Sequence, residues 1–243
     1  MRLLWNAIIV LAAIASSDAQ SPQAAGFPQA PTYVADGFDL PVGKPDAEGY
    51  YKARGYRPNG HLGEDWNGKG GGDTDLGHPV YACAHGVVVY AQNFGHGWGN
   101  VVIMRHVYEE GGRQKHVDSL YGHLDQIQTR YGVHVKRGQQ IGTIGTGGGL
   151  YDAHLHFEMR KDLRIGMARH RFPRDDRSYF SPTDFSLARR QLGRSTATAM
   201  VPIHTFVPYK GPGDEEDSPA QKGLVLPDSS GGPAKKDWKP KRF

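Results

Sequence analysis

Short apolar runs separated by glycine-containing turns fill the segment from Pro79 to Arg160. Runs of this length between turn signals predict β-strands rather than helices. The predicted strands read PVYACA, GVVVYAQNF, GNVVIMRHVY, HVDSLYGHL, QQIGTIG and HLHFEMR. We therefore predict an all-β fold, an antiparallel sheet arranged as a sandwich or a partly open barrel, with no helix of normal length in this segment.

The last predicted strand places two histidines among apolar residues. His154 and His156 flank Leu155, and Phe157 follows them. Side chains alternate between the faces of a strand, so residues i and i+2 share a face and the two imidazoles can act together. An isolated His-x-His is a short pattern, and one satisfied buried histidine beside an exposed one explains it equally simply. The rest of the chain has to decide between these interpretations.

Both ends of the chain differ in composition from this segment. Arg2, an apolar run over 3–14 and small residues up to Ala19 predict a secretory signal peptide at 1–19, too short to span a bilayer. A linker rich in Pro, Ala and Gln follows at 20–37, and the main domain is predicted at 38–185. We expect a short helical or irregular extension at 186–208, with SLARRQLGR as its helix, and a disordered tail at 209–243.

Charge and cysteine content narrow the class of protein. The chain has 243 residues, a net charge of +4 and one cysteine, Cys83, which excludes an intramolecular disulfide. Cys83 lies in VYACAHG and is predicted to be a small buried residue. The basic residues are scattered rather than interleaved with aromatics, so we do not expect nucleic acid as a partner. We expect an extracytoplasmic monomer, periplasmic or secreted, with no membrane span after signal removal.

The stretch HLGEDW supplies two candidate metal ligands, His61 and Asp65. Neutral imidazole nitrogen and carboxylate oxygen both bind zinc, and catalytic zinc sites commonly have three protein ligands and an open position. Gly63 disfavours a helix here, so the ligands are expected on a turn or strand end, with Glu64 pointing elsewhere. His-x-x-x-Asp alone is more often accidental than not.

His123, in LYGHLD, is predicted near the end of an apolar strand just before a turn. Alone, it is equally well interpreted as a buried, hydrogen-bonded histidine. The chain has 12 histidines, and the others outside these motifs show no comparable pattern. The order His-x-x-x-Asp, Tyr-Gly-His-Leu, His-Leu-His within one glycine-turned region is what points to a common site.

These motifs together resemble the M23 family of zinc metallopeptidases, the lysostaphin-type and LytM-type peptidoglycan endopeptidases. The resemblance extends over about 38–160 and includes HLGEDW, PVYACAHGVVVYA, GNVVIMRH, LYGHL, VKRGQQIGTIGTGG and AHLHFEM. It implies a compact antiparallel sheet with an active-site groove.

The resemblance also implies roles for five residues. His61, Asp65 and His156 are expected to bind one catalytic Zn²⁺, and His154 and His123 are expected to line the site without binding metal. Zinc with three ligands keeps a water whose pKa can fall to about 7, and a nearby imidazole can take its proton. We assign His154 as the base and His123 as the transition-state partner, an order that the sequence leaves open. The implied substrate is an extended peptide, in peptidoglycan stems or cross-bridges.

The sequence departs from the family pattern at two points. His85 stands in CAHG, where a small or acidic residue is frequent, and is expected on the surface or in a loop. VYEEGGRQKHVD lengthens a hairpin, which either walls the groove or is a tolerated surface insertion. Neither departure removes a ligand.

Two other functions compete with the peptidase. A non-catalytic M23-like binding or amidase-activating module would be expected to lose ligands, whereas all five positions are filled here. A cupin-type barrel also carries His-x-His, but a glutamate is expected four or five residues after the second histidine, where Arg160 and Lys161 stand. A cupin would leave His-x-x-x-Asp unexplained.

Overall fold

A computed structural model describes residues 26–95, 97–193 and 196–210. The predicted signal peptide and nearly all of the predicted tail lie outside the described residues. The strands are Gln29–Tyr33 (β1), Tyr50–Arg54 (β2), Glu64–Gly68 (β3), Pro79–Tyr81 (β4), Gly86–Gly95 (β5), Gly99–Glu110 (β6), Arg113–Ile127 (β7), His134–Val135 (β8), Gln140–Ile144 (β9), Leu155–Arg160 (β10), Tyr179–Phe180 (β11) and Thr198–Pro202 (β12). One α-helix, Pro182–Ala188 (α1), and two helical turns, Gly43–Ala47 and Arg169–Arg171, accompany them.

Ten of these strands form one antiparallel sheet. Its main path runs β2-β3-β10-β7-β6-β5-β8, with β11 beside β10 and with β9 pairing both β4 and β7. The all-β antiparallel class predicted from the sequence is therefore confirmed. The long hairpin of β6 and β7 forms the centre of the sheet, and β10 lies between β7 and β3.

Apolar side chains cover both faces of the sheet. Val102 and Met104 of β6 pack on one face with Phe38 and Phe185, while Ile103 packs on the other. Side chains alternate between the two faces because a strand has a two-residue period. Since both faces are buried, the sequence of the strand is a continuous apolar run.

The second face is covered by a two-stranded ribbon that the sequence did not predict. Strand β1 pairs with β12, and Val34 and Val201 are buried against the sheet. We expected a linker at 20–37 and a helical or irregular extension at 186–208. Within these segments 29–33 and 198–202 instead pair as strands, whereas 186–188 are helical and 189–193 irregular as expected. Two weak strand signals far apart in the sequence stabilise each other only when paired.

The helix also differs from the predicted SLARRQLGR. It begins at Pro182, a residue favoured in the first helical turn, and ends at Ala188. Within the described ranges, no helix combines the length and apolar character needed to cross a membrane.

Candidate active site

Apolar and polar residues alternate along strand β10, so they lie on opposite faces of the strand. Leu155, Phe157 and Met159 enter the core. His156 and Glu158 lie on the opposite face, where both are buried. Because β10 pairs with β3, His156 lies directly opposite Asp65, and their Nδ1 and Oδ1 atoms are 2.8 Å apart.

His61 completes a group of three donor atoms. Its Nε2 lies 3.0 Å from Asp65 Oδ1 and 3.1 Å from His156 Nδ1. A tetrahedral zinc ion with ligands at about 2.0–2.2 Å separates its ligand atoms by roughly 3.3 Å. The three residues predicted as metal ligands therefore come together in a spacing that fits zinc. His61 lies in the loop before β3, Asp65 near the start of β3, and His156 on β10.

Hydrogen bonds on the outer side of each imidazole turn its other nitrogen toward this point. Nδ1 of His61 donates to the carbonyl of Gly55 at 3.1 Å, so Nε2 faces inward. Nε2 of His156 donates to Glu158 Oε1 at 2.9 Å, which leaves Nδ1 inward. Such outer partners fix the tautomer of metal-binding histidines.

The site favours positive charge at its centre. Burial alone would lower the pKa of His156, but hydrogen bonds with Asp65 and Glu158 outweigh burial and raise it to about 9. Burial alone would raise the pKa of Asp65, yet His156 and His61 lower it well below its usual range. A carboxylate and two imidazoles in this arrangement suit a bound cation.

Glu158 belongs to a buried polar row that crosses the sheet. Arg160 Nε donates to Glu158 Oε2 at 2.6 Å, and Arg160 pairs in register with Asp118 of β7. Asp118 in turn accepts both arms of the Arg105 guanidinium, at 2.6 and 2.7 Å. The orientation of His156 is thus supported by paired charges rather than by a single contact.

His154 lies at the rim of the metal ligands and shares their face, as the i, i+2 spacing predicts. Its Nδ1 donates to the carbonyl of Asp152 at 2.8 Å, and its Nε2 lies 4.0 Å from Asp65 Oδ1. Because the protonated nitrogen is held by a carbonyl, Nε2 carries the lone pair that a base requires.

His123 reaches the same face through an irregularity in β7. Strand alternation would place it on the side of Tyr121, in the core, but its φ of 63° and an extra residue in the pairing with β6 turn it toward the site. Its ring centroid lies 4.8 Å from that of His154 and 5.6 Å from that of His156. The prediction that a turn follows His123 is wrong, since β7 continues to Ile127.

The environment of His123 keeps its imidazole neutral. Burial, reinforced by the neighbouring His156 and His154, lowers its pKa to about 3. Trp98 stacks on it at 6.0 Å between ring centroids. Its Nδ1 is buried and has no partner among the described residues. A neutral imidazole donates through one nitrogen and accepts through the other.

Sequence reasoning missed several residues around the site. Glu158 and Arg160 read as part of an ordinary strand, and the exposed Tyr151, 5.0 Å from His123 between ring centroids, read as part of a turn. Gly63 was interpreted only as a helix breaker. A Cβ there would lie 2.6 Å from the carbonyl oxygen of Phe157 and 2.9 Å from His156 Cε1, so this glycine lets the ligand turn approach β10.

Other sequence features lie outside the site. Cys83 is buried, as expected, and is near His106. His85 lies in the loop before β5, as expected, and its Nδ1 accepts a hydrogen bond from the backbone N–H of Arg137. Glu64 faces away from Asp65 and accepts hydrogen bonds from Lys52 and Thr183.

The lengthened hairpin does not wall the site. Its turn at Gly111 and Gly112 has positive φ at both residues, and Glu110 beside it pairs with Arg189 at 2.7 Å. Ten residues of β7 separate this tip from His123, about 33 Å at the usual rise per residue.

Comparisons with known proteins identify the family of this chain. The model of Peptidase family M23 matches residues 60–167. Lipoprotein NlpD from Yersinia enterocolitica is 39% identical over 84 residues, 35% of this chain and 78% of that protein. Peptidoglycan DD-endopeptidase ShyB from Vibrio cholerae is 36% identical over 88 residues, 35% of this chain and 18% of that protein. Most of the curated relatives are matched over only 13% to 26% of their length.

Among solved structures, the catalytic domain of lysostaphin from Staphylococcus simulans is 25% identical, with a TM-score of 0.43. The match covers 58% of this chain and 94% of that domain. The family match over 60–167 and the coverage of most of the Yersinia relative show that this chain belongs to peptidase family M23.

Proposed function

We propose that the chain is a zinc-dependent metalloendopeptidase that hydrolyses peptide bonds of peptidoglycan, in stem peptides or cross-bridges. The observation that carries this proposal is the convergence of three donor atoms, from His61, Asp65 and His156, within 3.1 Å of one another. Hydrogen bonds to Gly55 and Glu158 turn the two imidazole lone pairs inward.

Zinc held by these three side chains would supply a Lewis acid and a water acidic enough to react near neutral pH. His154 is the general base in this proposal, because its Nδ1–H is held by Asp152 and its Nε2 is left to take a proton at the rim of the site. As the C–N bond of the tetrahedral intermediate breaks, the same nitrogen gives that proton to the leaving amine.

His123 acts as a neutral hydrogen-bond donor to the oxygen of the scissile carbonyl. Burial lowers the pKa of His123 to about 3, which favours a neutral imidazole that donates a hydrogen bond over a charged acid. A neutral donor held between Trp98 and His154 can stabilise a developing oxyanion without reorganising. This proposed division of labour keeps the order of roles expected from the sequence.

We further propose that the protein works outside the cytoplasm, in the periplasm or after secretion, as a monomer. Relatives named as a lipoprotein, a cell division protein and a peptidoglycan DD-endopeptidase support an envelope setting. The peptidase unit we propose, 38–185, contains all five site residues.

A second candidate function is activation of a murein hydrolase without catalysis. Relatives from Salmonella and Escherichia coli carry the name murein hydrolase activator, which is the observation that favours it. The intact set of three ligands and two further histidines favours the peptidase.

Digestion of purified peptidoglycan tests the proposal. We expect the zinc-loaded chain to release muropeptides with new amine ends, identified by mass spectrometry, and His156→Ala or zinc chelation to abolish their release. Walls that stay intact while zinc is fully bound would contradict the proposal. If the same protein then stimulates a purified amidase, the activator function is supported instead.

A further inference from the structure

One guanidinium beside the site, that of Arg169, has no hydrogen-bond acceptor among the residues that the structure describes. Arg169 is partly exposed, and its guanidinium carbon lies 4.9 Å above the ring of Trp98. Among the described residues its guanidinium makes no hydrogen bond and no close ion pair, although its charge helps to lower the pKa of Glu158. Arg105, Arg160 and Arg164 are each paired with a carboxylate. An arginine stacked on an aromatic ring keeps its planar fork of donors available for a ligand.

Trp98 connects this guanidinium to the reacting centre. Its ring centroid lies 5.3 Å from that of His156 and 6.0 Å from that of His123. Arg169 therefore lies within roughly 10 Å of His156, a distance that about three residues of extended peptide span at about 3.3–3.6 Å each.

The backbone that carries Arg169 is fixed by the buried polar row described above. Arg160 donates to the carbonyl of Gly166, and Arg105 donates to that of Leu163 at 2.7 Å. The helical turn Arg169–Arg171 follows directly and begins after the buried Ala168. The backbone that carries Arg169 is thus held by the same row that orients His156, and the Trp98 ring supports the guanidinium, which lowers the entropic cost of binding a ligand.

We propose that Arg169 is a specificity-determining residue that binds a substrate carboxylate within about three residues of the scissile bond. The fork of a guanidinium matches a carboxylate with two parallel hydrogen bonds, and a partly buried position strengthens them. This inference rests on the proposed peptidase function and deepens it. Stem peptides that contain diaminopimelate present free carboxylates, whereas a glycine cross-bridge presents none along its length, so Arg169 assigns stems as the substrate class.

Matched synthetic substrates test the assignment with the zinc-loaded full chain. The set contains a cross-linked stem peptide with free carboxylates, the same peptide amidated at its C-terminus, the same peptide amidated on diaminopimelate, and pentaglycine. We expect Arg169→Met to reduce kcat/KM for the free peptide by about 10- to 100-fold, mostly through KM, and to leave the relevant amidated peptide unchanged. If amidation of one carboxylate makes kcat/KM independent of Arg169, that carboxylate, C-terminal or on diaminopimelate, is the one that Arg169 binds.

Two further variants separate recognition from packing. Arg171→Met removes an exposed arginine from the same turn and should leave kcat/KM unchanged for both the free and the amidated peptides. Arg169→Lys keeps the charge and the apolar stem over Trp98 and should retain part of the preference for the carboxylate. An equal loss on free and amidated peptides would mean that Arg169 only packs on Trp98, and pentaglycine cleaved faster than the stem peptides would also overturn the proposal.

Binding distinguishes this proposal from the proposed function. If the wild-type chain cleaves none of these peptides, the peptidase function fails. Calorimetric titration of the free and amidated peptides then tests Arg169 alone. Tighter binding of the free peptide that is lost in Arg169→Met supports the carboxylate site, and equal binding of both peptides overturns it.

Discussion

Glu158 Oε1 accepts a hydrogen bond from Nε2 of His156 at 2.9 Å, and this contact leaves Nδ1 as the only nitrogen of His156 that can face Asp65 and His61. His156 and Glu158 are two residues apart on β10, so strand alternation places them on the same face. A ligand histidine is therefore oriented by its own strand.

Replacing Glu158 with Gln should weaken metal binding without removing a ligand. The amide can keep a hydrogen bond, but it loses the charge that holds the His156 tautomer and pairs with Arg160. Outer partners of this kind change metal affinity by about 10- to 100-fold. Competition with a chelating dye measures the zinc affinity, and Glu109→Gln, at an exposed position, is the control. An unchanged affinity in Glu158→Gln would contradict this role.

Substitution of His154 or His123 should separate catalysis from metal binding. Neither residue is among the three donors, so His154→Ala and His123→Ala are expected to bind one zinc per chain like the wild type. Each should reduce kcat by about 100-fold or more, because proton transfer and oxyanion stabilisation are each worth that much. Steady-state kinetics beside metal analysis checks this, and loss of zinc in either variant would show that the residue acts as a ligand.

Gly63→Ala should destabilise the fold and disturb the site together. The added methyl would meet the Phe157 carbonyl at 2.6 Å and His156 at 2.9 Å, so the ligand turn has to move. Overpacking of this kind costs about 1–3 kcal/mol in the free energy of unfolding. Urea denaturation measures it, and Gly26→Ala, where a Cβ meets nothing within 4 Å, is the control. Equal stabilities of the two variants would refute this explanation of Gly63.

Acid should destabilise the protein through His106, which is remote from the metal ligands. Burial lowers its pKa to about 4 from an ordinary value of 6.5. The unfolded chain binds a proton below pH 6.5 and the folded chain does not, so stability is complete above pH 6.5 and falls as pH drops toward 4. The loss is on the order of 3 kcal/mol.

Unfolding free energies measured from pH 7.5 to 4.5 test this dependence. His106→Gln should reduce the slope of unfolding free energy against pH by the contribution of about one proton. The variant is expected to be less stable than the wild type at neutral pH. His78→Gln, which removes an exposed histidine, should leave the slope unchanged. A wild-type slope in His106→Gln would mean that other groups cause the acid sensitivity.

The sequence predicted the strands and the ligand set better than the environment of the ligands. Alternation and glycine turns are local signals, and they were sufficient for β4–β7, β9 and β10. His61, Asp65 and His156 were inferred from motif order. The pairing that brings His156 opposite Asp65 joins residues 91 positions apart, which no local pattern encodes.

The remaining features could not be predicted because they depend on register. The contact of Glu158 with His156 follows from strand alternation, but the burial of Glu158 does not. His123 enters the site only through a bulge that reverses its side, and the ribbon of β1 and β12 forms only after both segments reach the sheet. Strand parity alone would have placed His123 in the core.

The central claim is that His61, Asp65 and His156 hold one zinc ion. X-ray absorption at the zinc edge on the purified chain tests it most directly, together with metal stoichiometry. We expect one zinc per chain bound by two imidazole nitrogens and one carboxylate oxygen at about 2.0–2.2 Å, with a further light-atom ligand. Asp65→Ala should remove the ion. A chain that binds no zinc, or an Asp65→Ala variant with an unchanged spectrum, would contradict the claim.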